Sequence, residues 1–168
     1  MFNNSLQSYA RLKSDLARVW NRILLLLFSI TVGTFVLWMA PFSGDIRIVI
    51  LAFLLIHLLY VFNLYIIVQD GNKSLQWMTV GNQVSERIIL QEMLHIQKEA
   101  VAKLVHFSLT AGVSLAAFVY QLCEYKLLAV LWLPFLGVSI YQIMTSWADI
   151  SWSRTAYTYW GEQIPPKL

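Results

Sequence analysis

The chain has 168 residues, 58% of them hydrophobic and 12% charged, with a net charge of +3 and a mean hydropathy of +0.61. Soluble domains carry about 25% charged residues, so half the charge of a water-facing surface is missing. This excludes a disordered chain and a free cytosolic enzyme, and the length excludes a large transporter.

The first 22 residues are polar and mixed, too long for the leading region of a signal peptide. Leu6, Tyr9, Leu12, Leu16 and Val19 recur at spacings of 3, 3, 4 and 3, which predicts an amphipathic helix running into the first apolar run. That run, residues 23–40, is expected to be a retained membrane span, with Trp20 and Trp38 about 27 Å apart at helical rise as its interfacial belt. Ser29 and Gly33 give it a short small-residue packing face. Pro41, Gly44 and Asp45 follow as a break.

The second run, 48–68, contains His57 and Asn63, and Asp70-Gly71-Asn72 after it reads as a turn. From residue 82 to 103 there is no Gly or Pro, and Ile89, Met93, Ile96 and Ala100 form an apolar stripe at spacings of 4, 3 and 4. Glu86, Arg87, Gln91, Glu92, Gln97 and Lys98 read as the solvated remainder of that helix. No breaker precedes the third run, 104–123, so one long helix is expected to leave the membrane and form part of a small cytoplasmic body over 69–103. Its apolar stripe must be covered by the N-terminal helix, by the tail or by another protein.

Within the third run, Ser108, Gly112 and Ala116 make a stripe of small residues at fours, which lets a neighbouring backbone approach closely. Glu124-Tyr125-Lys126 is too short for anything but an antiparallel connection to the fourth run, 127–148. Trp132 and Trp147 flank that run, and Gln142 lies at the same reckoned depth as Asn63. Both amides are expected to face protein. The tail, 149–168, carries Trp152, Tyr157, Tyr159 and Trp160, rings that suit either the headgroup layer or the Ile89–Ala100 stripe.

Each apolar run is 18 to 22 residues long and holds none of the 12 basic or 9 acidic side chains. About 20 residues cross a ~30 Å hydrocarbon core, so the expected fold is all-α: a four-helix transmembrane bundle, N-in and C-in. Ten of the twelve Lys and Arg lie in the N-terminal segment, the 69–103 segment and the tail. That asymmetry puts both termini in the cytoplasm, and a bacterial inner membrane is the expected location. It also accounts for the basic charge without nucleic acid as a partner.

Catalytic chemistry is absent from the pattern. The runs hold no Asp, Glu, Lys or Arg of the kind that marks ion or proton paths, and no phosphate loop, HExxH or CxxC occurs. Cys123 is the sole cysteine. Glu92 and His95 form one Glu-x-x-His unit, whereas di-iron bundles need two and further carboxylates, so the single unit reads as part of a solvated face. Counted from the inner ends of their runs, His57 and His106 differ in depth by about 12–13 Å, which excludes a haem shared between them. No catalytic residue, metal or cofactor is therefore expected.

The expected function is that of a non-enzymatic membrane subunit or adaptor, which assembles in the bilayer or recruits a partner through its cytoplasmic helix. Ile89, Met93, Ile96 and Ala100 are its expected contact residues. A homo-oligomeric pore lined by the hydroxyls and amides of the third and fourth runs is the alternative. A redox or lipid-enzyme subunit using His57 is a second one.

Overall fold

A computed structural model of the chain describes residues 2–39, 44–77, 79–80, 83–84, 87–124, 130 and 132–163. Four long helices account for nearly all of these: α1, Phe2–Met39; α2, Gly44–Trp77; α3, Ile88–Glu124; and α4, Leu133–Gln163. A two-residue antiparallel ladder, β1 Thr79–Val80 and β2 Gln83–Val84, joins α2 to α3 with Thr79 opposite Val84 and Val80 opposite Gln83. By length and composition three helical segments suffice to cross a membrane: Ser5–Met39, Ile46–Trp77 and Ile88–Cys123. The fourth apolar run lies partly outside the described residues, as do the connection after Glu124 and the last five residues.

α1 is continuous through the join between its polar and apolar halves, as the spacing of its leucines predicts. Its 38 residues extend about 57 Å at helical rise, nearly twice the thickness of a hydrocarbon core. The surplus belongs to a polar body in which Leu12, Leu16, Val19 and Ile23 are buried with Tyr60, Leu64 and Val68 of α2 and with Ile88 and Ile89 of α3. Beyond Ile23 the helix changes character. Leu25, Phe28, Phe35 and Trp38 are exposed, as lipid-facing side chains are, and the Ser29, Thr31 and Thr34 hydroxyls donate to the carbonyls of Leu25, Leu27 and Ile30 on their own helix. Such local bonds satisfy a hydroxyl where no water is at hand.

Two sequence expectations fail on α2 and α3. Gly71 does not turn the chain, because α2 continues through it to Trp77. Its missing side chain makes room for α1: a Cβ there would sit 2.5 Å from Leu16 Cδ2. The helix expected from residue 82 begins instead at Ile88, since Gln83–Val84 is taken by the ladder.

α4 lies antiparallel along α3 and buries Ser139, Ser146 and Ser153, three serines seven residues apart. Pro134 occupies its first turn, where an absent N–H costs nothing. Trp132 Nε1 donates to Gln121 Oε1 at 2.9 Å, and the Trp132 ring stacks on Phe53 with an interplanar angle of 3°. At the other end, Trp160 packs against the core of the polar body.

Candidate functional site

The face of α3 that meets α1 and α2 is polar for much of its length. Glu92 and His95 are 4% and 5% exposed, which corrects their assignment to a solvated face. They follow the same three-and-four spacing as the apolar stripe, offset around the helix. Ser8 hydrogen-bonds the Glu92 carboxylate and Arg11 lies 4.0 Å from it. Burial raises the pKa of Glu92 against both of these contacts. His95 is pushed below its ordinary value, chiefly by burial, and its Nε2 has no hydrogen-bond partner. Beside it, Lys98 pairs with Asp70 at 3.0 Å, and the Ser74 hydroxyl donates to Gln91 Oε1 at 3.4 Å.

The next layer is an ionic cluster. Arg22 reaches Glu99 at 2.5 Å and Lys103 reaches the same carboxylate oxygen at 2.9 Å. Burial alone would raise the pKa of Glu99, but the two cations outweigh it and hold the group below its usual value. Arg22 also hydrogen-bonds the Tyr60 hydroxyl, and the Tyr60 ring stacks on His106 with centroids 4.2 Å apart.

His57 and His106 complete the column. Their rings meet edge to face with centroids 4.8 Å apart, which overturns the depth difference reckoned from sequence. α2 and α3 run antiparallel with Ser74 against Gln91, Asp70 against Lys98 and His57 against His106. In that register the apolar run of α2 reaches further into the polar body than that of α3, because Leu64 and Val68 are buried by α1. The end of an apolar run marks where burial ends, which here is not the edge of a membrane. Two imidazoles on opposite sides of one iron would place their centroids about 6 Å apart, given bond lengths near 2 Å, so the 4.8 Å approach still does not accommodate a shared haem.

The other sequence candidates are dispersed. Ile89, Met93 and Ala100 are buried and Ile96 is half-buried, so the stripe expected to bind a partner is filled by the chain's own core. Ser108, Gly112 and Ala116 are all exposed, and a Cβ on Gly112 would meet nothing within 4 Å. The small-residue face of α3 thus points away from its own bundle, and Thr110, Ser114 and Ala117 are buried on the inner side. On α1, Ser29 is exposed while Gly33 packs closely on α2, where a Cβ would lie 2.9 Å from Leu54 Cδ2. Asn63 is exposed and donates to Leu59 O of its own helix at 3.0 Å, so it meets no other helix of its own chain. Gln142 is half-buried. Of the hydroxyls expected to line a pore in the alternative reading, Thr110, Ser114, Ser139 and Ser146 are buried within the single chain.

Sequence reasoning missed the column made by Arg22, Tyr60, Glu99 and His106. Its signal was the spacing of Glu92, His95, Glu99 and His106 at 3, 4 and 7 along one helix, a repeat that puts all four on one side. Among the described residues no three His, Cys, Asp or Glu side chains gather as a metal site. Comparisons with protein-family models, with curated proteins and with solved structures find no match.

Proposed function

We propose that this protein is a non-enzymatic membrane subunit that associates laterally with a second copy of itself through the outer face of α3. The observation that carries this reading is the exposure of Ser108, Gly112 and Ala116 on a helix whose opposite face already holds the chain's core. In lipid, apolar side chains gain nothing by leaving the hydrocarbon, so close backbone approach over small residues is what favours association. The charged groups support an assembly role over catalysis, because Arg22, Glu99, Lys103, Asp70 and Lys98 are engaged with one another.

The proposed topology is four spans with both termini in the cytoplasm of a bacterial inner membrane, supported by the ten-to-two distribution of basic residues. On a Cys123→Ser background, Gln7→Cys and Glu162→Cys should react with an impermeant reagent only after the membrane is opened.

The association is tested by oxidative cross-linking in native membranes on a Cys123→Ser background. Gly112→Cys is expected to give a covalent dimer, and Leu25→Cys, on the exposed face of α1, is not. Equal cross-linking at both positions would remove the reading.

A further inference from the structure

A cavity of about 190 Å³ lies between α1 and α2, lined by Ser29, Ile30, Ile50, Phe53, Leu54 and His57. Its rim includes the exposed Ser29, so it is reached from the lipid side. Nothing in its wall is charged, which selects for a neutral occupant. Pockets for drug-sized ligands run to about 300–1,000 Å³, so this one takes a single ring and leaves any attached chain in the bilayer.

The hydrogen bonds around the cavity fix what that ring must carry. His57 Nδ1 lies 2.7 Å from the Phe53 carbonyl oxygen. A carbonyl only accepts, so Nδ1 holds a proton, and in the singly protonated ring the lone pair is at Nε2. No described residue donates to that nitrogen. The other polar side chain of the wall, Ser29, spends its proton on Leu25 O. On the inner side His106 repeats the shortage: the residue is 5% exposed, its ring bonds to the backbone of Ile56, and its Nδ1 has no partner. Two adjoining imidazoles therefore offer lone pairs where donors are lacking, and an unmet acceptor in an apolar setting is costly.

We propose that the cavity binds the hydroxyl-bearing ring of a bilayer-soluble molecule of the quinol or phenol class, with the ligand O–H donating to His57 Nε2. Two of the six residues in the wall, Phe53 and His57, are themselves rings, a lining that suits an aromatic occupant. The oxidised, carbonyl-bearing form of such a ligand offers only acceptors and is disfavoured. This inference is independent of the assembly proposed for α3.

Trimethylhydroquinone and its dimethyl ether serve as probes, with binding to the full chain in detergent followed by equilibrium dialysis under reducing conditions. A neutral hydrogen bond corresponds to a preference of about tenfold for the hydroquinone. His57→Phe should abolish that preference and His57→Gln, which restores an acceptor oxygen, should keep part of it. Comparing each variant's ratio of the two affinities cancels partition into the micelle. Ile50→Trp, which fills the space, should weaken both probes. A ratio of the two affinities that is the same in the unaltered protein and in His57→Phe overturns the proposal, as does binding undiminished in Ile50→Trp. Ile50→Trp leaves His57 in place and decides even where a His57 variant fails to fold.

Discussion

Arg22 of α1 and Glu99 of α3, 77 positions apart in the chain, meet at 2.5 Å where the polar body joins the apolar segments. The pair is asymmetric. Glu99 is 14% exposed and has Lys103 as a second cation, whereas Arg22 is 40% exposed and rests on Tyr60 as well. Removing the carboxylate strands two positive charges, and removing the guanidinium leaves Glu99 still paired.

Glu99→Gln should accordingly cost about 1–3 kcal/mol, and Arg22→Ala less, below about 1 kcal/mol for so exposed a partner. Thermal unfolding in detergent measures both, and the reverse order would contradict the pairing. Because the folded pKa of Glu99 lies below the usual 4.5, its contribution is full above that value and is lost as the pH falls through the folded one.

His95 carries the opposite dependence on acid. Burial lowers its pKa below 6.5, with Glu99 and Asp15 opposing and Lys98 and Lys103 adding to the effect. Below 6.5 the unfolded chain binds a proton that the folded chain refuses, so stability should decline as the pH drops through that window. His95→Gln should flatten the fall in unfolding midpoint between about pH 7 and about pH 5.5. A slope unchanged by the substitution would show that another group governs it.

Gly71 and Gly112 should respond to alanine with opposite signs. At Gly71 the new methyl meets Leu16 Cδ2 at 2.5 Å, Cδ1 at 3.2 Å and Cγ at 3.3 Å, and Leu16 is itself buried. Overpacking of this kind costs about 1–3 kcal/mol. At Gly112 the methyl meets nothing of its own chain within 4 Å, and in the dissociated chain the helix gains about 0.5–1 kcal/mol in propensity. Unfolding midpoints of the two variants check the pair of signs.

Ser114 and Ser146 are buried with no partner for Oγ. Deleting an unmet hydroxyl should stabilise the chain by about 1 kcal/mol in each of Ser114→Ala and Ser146→Ala. Ser146→Leu, at the close contact with α3, should destabilise it. A loss of stability in both alanine variants would mean that the hydroxyls are bonded.

The helices and the unbroken passage of α1 into its apolar half were legible because Leu12, Leu16 and Val19 keep a single period. Gly71 was misread because a turn and a close helix contact call for the same residue. Glu92 and His95 were misread because one period serves two faces of a helix, and only the position of α1 decides which of them is covered. The meeting of His57 with His106 depends on the register of α2 against α3, which no single run of residues contains. Ser108, Gly112 and Ala116 were recognised as a face without its direction, since small residues read alike whether they turn inward or outward.

α4 is held to α3 along a face with little to grip. Ser139, Ser146 and Ser153 repeat every seven residues, so sliding the helix by one heptad would lay serine where serine had been. The middle of the contact is blind to such a slip. What fixes the position is at the ends, where Trp132 is tied to Gln121 and stacked on Phe53 and Trp160 is seated against the polar body. α4 is thus a smooth rail between two indole stops, and its place along α3 is decided about 40 Å apart by two rings.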